Sequence, residues 1–181
     1  MIFAETSLKG SYVIFMEPHE DGRGFFARTF CGEEFAKQGL DAGIAQCNMS
    51  YNAKAGTIRG MHYQVAPHEE TKVVICTQGS VFDAIVDLRS GSPTAGKWFG
   101  LSMRALDHRV LYVPRGFAHG YLALTDDATV FYMVSVPYNH EYERTLLWND
   151  PAVGIKWPKM SEYVVSEKDK NADNLKKCLG I

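Results

Sequence analysis

Three kinds of side chain in this sequence can move a proton or meet a negative charge near neutral pH. Imidazoles stand at His62, within RGMHYQ, and at His119, within PRGFAHG; an ammonium stands at Lys72; and a phenol stands at Tyr132, within VFYMVSV. Histidine titrates at about 6.5, so His62 is suited to act as a general base. Lys72 is followed directly by Val73, Val74 and Ile75. A lysine in such a run is costly if it points inward without a partner, so an inward Lys72 implies an anion or a function. A phenol is neutral at pH 7 and can donate. A tight zinc or iron site needs three or more converging His, Cys or carboxylate ligands, and His62 and His119 stand without the rest. No catalytic metal and no other cofactor are therefore expected. Cys31, Cys47, Cys76 and Cys178 are scattered without a CxxC pair and are assigned no chemistry.

These groups need a scaffold, and the sequence points to strands. Runs rich in β-branched and aromatic residues occur at 11–16, 71–77, 81–88 and 128–136. Turn signals punctuate them at Asp21–Gly24, Asn52–Gly56, Gly79, Ser90–Gly96, Pro114–Gly116 and Asp126–Asp127. Two short helices are expected, one over Glu33–Gln38 and one over Glu167–Lys177. Many short strands with few helices must hide their sheet edges, which an antiparallel jelly roll or barrel achieves.

The 181 residues, 46% of them hydrophobic, suffice for one full core, so a single domain over 1–181 is expected. Nineteen basic against 21 acidic residues give a net charge of −2, which favours neither nucleic acid nor an anionic membrane. No apolar run approaches the roughly 18 residues needed to span a bilayer, and the N-terminus lacks the layout of a signal peptide. A cytoplasmic protein is expected. Any anionic ligand would need local cations.

The stretch PRGFAHG resembles the second signature of the cupin superfamily, but the corresponding first signature, RGMHYQVAPHEETK, has Gln64 where metal-binding cupins carry a second histidine. A more specific resemblance covers nearly the whole chain. The phrases DGRGFFARTF (21–30), QCNMS (46–50), IRGMHYQ (58–64), EETKVVICTQGSVFDAIVDLRSGSPTAGKW (69–98), VPRGFAHGYLAL (113–124), VFYMVSVPY (130–138), WNDPAVGIKWP (148–158) and SEKD (166–169) are similar to the dTDP-4-dehydrorhamnose 3,5-epimerase family.

The resemblance implies a mainly β fold, a cupin-type antiparallel jelly-roll barrel with short peripheral helices. It also implies metal-independent inversion of carbons beside the C4 ketone of a dTDP-linked 4-keto-6-deoxyhexose. By resemblance, His62 is the base, Asp169 its carboxylate partner, Lys72 the stabiliser of the enolate oxygen and Tyr132 the acid on the opposite face. Arg23 and Arg59 match arginines that grip the pyrophosphate, a task suited to a guanidinium with paired donors. Gln46 and Asn48 resemble base and sugar contacts, Phe26 matches the base pocket, and Tyr138 matches a second tyrosine at the sugar. His119, Glu143 and Lys168 match further ligand contacts. The family also pairs as homodimers with exchanged N-terminal strands, a role open to Tyr12–Met16.

One position departs. Arg28 stands where the family usually has glutamate, so a donor-only group replaces an acceptor-only group beside the expected base pocket. Rival readings are inversion at C3 or C5 alone, ketoisomerisation of a related deoxysugar nucleotide, and a cupin that binds a small molecule without turnover.

Overall fold

The computed structural model describes residues 1–180. Its strands are β1 (Ile2–Glu5), β2 (Tyr12–Phe15), β3 (His19–Asp21), β4 (Gly24–Phe26), β5 (Gln46–Asn52), β6 (Thr57–Gln64), β7 (Lys72–Gln78), β8 (Ser80–Asp87), β9 (Trp98–Arg104), β10 (Arg109–Val113), β11 (Phe117–Ala123), β12 (Ala128–Val134), β13 (Glu143–Thr145) and β14 (Val164–Val165). The helices are α1 (Gly32–Lys37), α2 (Glu167–Lys170) and α3 (Leu175–Leu179). One sheet has the order β1-β2-β10-β7-β12-β5, and the other β13-β6-β11-β8-β9 with β14 added beside β6. Pairing is antiparallel except for the β14–β6 contact. This is the expected jelly roll. No helix among the described residues is long and apolar enough to cross a membrane.

The four strongest strand expectations correspond to β2, β7, β8 and β12. Two of these, β7 and β8, read as largely apolar runs, interrupted in β8 by the buried Asp83, because both of their faces are covered. On β7, Val74 and Cys76 point into the core between the sheets, while Val73 and Ile75 pack with Phe35 of α1 and Tyr112. On β8, Val81 and Ile85 face that same core, while Ala84 and Val86 meet Met61, Leu146 and Leu175 on the other side. The period of two then fixes Lys72: it shares the inward face with Val74 and Cys76.

The other period-two sets converge in the same way. Tyr132 lies two residues from inward Val130, and His62 alternates with Met61 and Tyr63, which pack outward. Strands β6 and β11 approach so closely that an added Cβ at Gly60, which has φ +128°, would lie 2.5 Å from Gly120 Cα. Only glycine tolerates both that backbone and that distance. A register shift between His119 and Tyr121 sits beside this contact, and His119 pairs directly with His62.

The single helix expected over 167–177 is instead two. Asp173 leaves helical geometry because its backbone bridges the chain after β13: its N–H donates to Thr145 O at 3.1 Å, and its carbonyl accepts from Leu147 N at 2.7 Å. Each piece is capped by a side chain, Ser166 accepting from Asp169 N and Asn174 from Lys177 N. The thin apolar face of the sequence is thus divided by two backbone hydrogen bonds that propensity does not register.

Candidate active site

Between the sheets opens a cavity of about 440 Å³, walled on one side by β5, β7 and β12 and on the other by β6 and β11. Gln46, Asn48, Arg59, His62, Lys72, His119, Tyr132, Tyr138 and Glu143 all line it, so nine of the expected site residues converge. The space suits a ligand of small-molecule size.

His62 Nε2 lies 2.8 Å from Asp169 Oδ1. The other carboxylate oxygen, Oδ2, accepts from Gly60 N at 3.3 Å, and Ser166 Oγ holds the Asp169 backbone at 3.1 Å. Burial opposes ionisation of Asp169, but the hydrogen bond and charge of His62, with the Gly60 and Ser166 contacts, hold its carboxyl below the usual range. An ionised Asp169 fixes the tautomer with the proton on Nε2 and leaves Nδ1 as the acceptor. More than one hundred residues separate the two in sequence. What joins them is the short β14–α2 segment running beside β6.

Tyr132 stands on the opposite sheet. Burial raises its phenol above the ordinary value, with nearby Tyr121 and the Glu70 carboxylate adding to the effect, so it stays protonated and able to donate. Lys72 enters from β7, beside β12, and pairs with Glu70. One wall thus carries an oriented imidazole, the facing wall carries a protonated phenol, and an ammonium lies in the same cavity. That combination can take a proton from a carbon acid, stabilise the enolate oxygen and return a proton from the other side.

A profile described as dTDP-4-dehydrorhamnose 3,5-epimerase matches residues 5–177. This chain belongs to that family. A dTDP-4-dehydrorhamnose 3,5-epimerase of Sinorhizobium fredii is 43% identical over 175 residues, covering 97% of this chain and 90% of the relative. The crystal structure of the enzyme of that name from Elizabethkingia anophelis NUHP1 superposes with a TM-score of 0.94 at 37% identity, covering 98% of this chain and 97% of the other. The dTDP-6-deoxy-D-glucose-3,5-epimerase of Legionella pneumophila Philadelphia 1, solved with dTDP-4-keto-L-rhamnose, gives a TM-score of 0.91 at 32% identity, covering 96% of this chain and 92% of the other. The chain is accordingly an epimerase, an isomerase of deoxysugar nucleotide metabolism, on a cupin-type jelly roll.

At the cavity mouth of this epimerase, Tyr138 donates to Glu143 Oε2 at 3.0 Å, and Lys168 Nζ lies 2.6 Å from the same oxygen. Burial opposes ionisation of Glu143, yet these two donors keep its carboxyl below the ordinary range. The Tyr138 backbone donates to Gln46 Oε1 at 2.8 Å, which ties the loop after β12 to β5. Arg59 Nε donates to Asn52 Oδ1 at 2.8 Å, so its guanidinium is already oriented at the rim. His119 Nε2 lies 2.9 Å from Asp83 Oδ1, deep in the barrel.

Three expected binding residues are not brought to the cavity within one chain. Arg23, its side chain 90% exposed, pairs with Asp21 on the β3–β4 hairpin, and Phe26 projects from that hairpin into solvent. Arg28 lies 3.8 Å from Glu34 of α1, in a separate surface hollow with Met1 and Phe3. The sign change at Arg28 therefore faces a carboxylate of its own chain. Conversely, sequence reasoning missed Ser50, Glu70 and Tyr121, all on the cavity wall. Each lies two residues from a residue it did single out, namely Asn48, Lys72 and His119. For Ser50 on β5 and Tyr121 on β11 strand alternation carried the signal, whereas Glu70 precedes β7 and lies outside any strand period.

Among the described residues, no three His, Cys, Asp or Glu side chains converge as a metal ion would require. Gln64 turns its carboxamide Oε1 to the Asn139 backbone N–H at 2.6 Å and its Nε2 toward Glu70 and the His68 carbonyl.

Proposed function

We propose that this epimerase takes dTDP-4-dehydro-6-deoxyglucose and inverts C3 and C5 to give dTDP-4-dehydrorhamnose. The observation that carries this reading is the placement of the His62–Asp169 pair and Tyr132 on opposing walls of one cavity that also holds the Lys72 ammonium. The names of the relatives and the dTDP-sugar bound to the Legionella enzyme support the substrate.

In this mechanism Nδ1 of His62 removes the proton from the carbon beside the C4 ketone. Asp169 stabilises the imidazolium that forms. Lys72 donates to the ketone oxygen as it gains charge, and Tyr132 delivers a proton to the opposite face of the enolate. The phenolate is then reprotonated from solvent, and His62 releases its proton for the next inversion. Every step is a proton transfer, so the chemistry calls for no cofactor.

Arg59 grips the pyrophosphate, Gln46 and Asn48 contact the base and sugar, Tyr138 and His119 contact the sugar, and Glu143 and Lys168 border its binding place. The single domain works in the cytoplasm as a homodimer. The exposed Arg23 and Phe26 reach the pocket of a second copy, adding a cation for the pyrophosphate and an aromatic wall for the base, with Arg28 on the same segment. The exposed Met49 and Tyr51 on edge strand β5 offer an apolar seat for such a neighbour.

Incubation with the 4-keto substrate in D₂O, followed by NMR at C3 and C5 separately, tests the reading. Deuterium entry with inversion at both carbons is expected. Binding without isotope exchange at either carbon would overturn it.

A further inference from the structure

Glu70 is a carboxylate the proposed mechanism does not use, yet it lines the same cavity. Its side chain is 9% exposed and that of its partner Lys72 is 10% exposed. Two donors meet it, the Lys72 ammonium and the Gln64 amide. The Gln64 orientation is not free, because Oε1 accepts from Asn139 N and Nε2 must then face Glu70 and the His68 carbonyl, 3.0 Å away. Glu70 is thus held through Oε2 by Gln64 while Oε1 meets Lys72.

This arrangement addresses a weakness of lysine as an oxyanion donor. Its ammonium sits on a flexible four-carbon stem and has no preferred direction of its own. A buried ammonium without a partner is also costly. Glu70 removes both problems, taking one of three N–H donors and leaving two for the cavity. We propose that Glu70 is a positioning residue, holding Lys72 where the enolate oxygen forms. The inference rests on the proton-transfer reading above.

A residue that acts only through Lys72 must lose its effect once Lys72 is gone, which a double-mutant cycle measures. Wild type, Glu70→Gln, Lys72→Met and the double variant are assayed with the dTDP-linked 4-keto sugar for deuterium exchange, kcat and KM, with thermal midpoints recorded alongside. Glu70→Gln should lower kcat about 10- to 100-fold, the scale expected when a catalytic group is displaced by about an ångström, with KM little changed. Lys72→Met should lower kcat about 10²- to 10³-fold, as removal of one oxyanion donor does. The double variant should match Lys72→Met within about 2-fold. Glu70→Asp, which keeps the charge but shortens the reach, should recover part of the loss, and it replaces Glu70→Gln in the cycle if the amide variant does not fold. Equal losses from Glu70→Gln in both backgrounds, or an unchanged kcat, would overturn the inference while leaving the substrate reading intact. A wild-type protein that exchanges no proton would overturn the substrate reading and this inference with it.

Discussion

Replacing Asp169 with asparagine changes few atoms, but the site gives that change a direction. The carboxylate accepts twice, from His62 Nε2 at 2.8 Å and from the Gly60 backbone N–H at 3.3 Å. Asparagine has one acceptor and one donor end, so it can serve only one of them. If its oxygen faces His62, the amide N–H₂ confronts the Gly60 N–H and leaves a buried donor unpaired, at about 1–3 kcal/mol. The amide therefore turns, gives its oxygen to Gly60 and donates to Nε2, and the imidazole proton moves to Nδ1, where it blocks the base. That preference leaves the active tautomer about 5- to 150-fold scarcer. Loss of the charged partner for the imidazolium adds about 1.5–3 kcal/mol, a further 10- to 150-fold. The product is a fall in kcat of about 50- to 2 × 10⁴-fold, a span that includes the roughly 10⁴ lost when a triad histidine is given the wrong tautomer. Deuterium exchange at C3 and C5 should fall together with inversion, since both need the same proton removed, while the thermal midpoint changes little. An asparagine variant that keeps more than about a fifth of wild-type exchange would refute the tautomer argument, because even its smallest term predicts about 5-fold.

The two faces of the site should also fail differently. His62→Asn should stop both exchange and inversion, whereas Tyr132→Phe should still exchange with retained configuration and lose about 10²–10⁴ in inversion rate; NMR in D₂O reads both. Gly60→Ala should destabilise the fold by about 2–4 kcal/mol in denaturant titration, because the new methyl meets Gly120 Cα at 2.5 Å at a φ of +128°. Asp87 is fully buried, and its hydrogen bonds from Arg89, Ser92 and Thr94 outweigh burial and hold its carboxyl down to about 2. Its stabilisation is therefore present above the unfolded value of about 3.9 and lost as pH falls towards about 2. Between pH 5 and 2, wild type should lose about 2 kcal/mol more stability than Asp87→Asn, and parallel losses would show that Asp87 is not the group titrating.

Much of this molecule was readable from spacing alone, for reasons visible in particular residues. Strands β7, β8 and β12 were legible because burial on both faces leaves long apolar runs, whereas the direction of Lys72 stayed open in the sequence and is decided by its offset from Val74 and Cys76, which the fold turns inward. The His62–Asp169 pair was not readable from physics, since no local rule links residues so far apart; only the family resemblance joined them. The break between α2 and α3 escaped because backbone bonds from Asp173 to Thr145 and Leu147 decide it. Arg23, Phe26 and Arg28 matched site positions in sequence, yet one chain leaves them on the outer surface away from the cavity, because a motif match carries no information about where the β3–β4 hairpin folds.

The order of strands within the sheets also governs when a site can exist at all. Strand β5 pairs with β12 through Asn52 and Ala128, and β2 pairs with β10 through Tyr12 and Tyr112. Closing such distant loops costs entropy before any contact offsets it, so sheets of this kind form slowly, on the scale of about milliseconds to seconds. Gln46 and Asn48 ride on β5, Tyr132 on β12 and His62 on β6, so none of the local hairpins that form early holds both walls. Recovery of activity during refolding should therefore trail the first gain of β structure and coincide with the final cooperative step, making catalysis itself a late reporter of assembly.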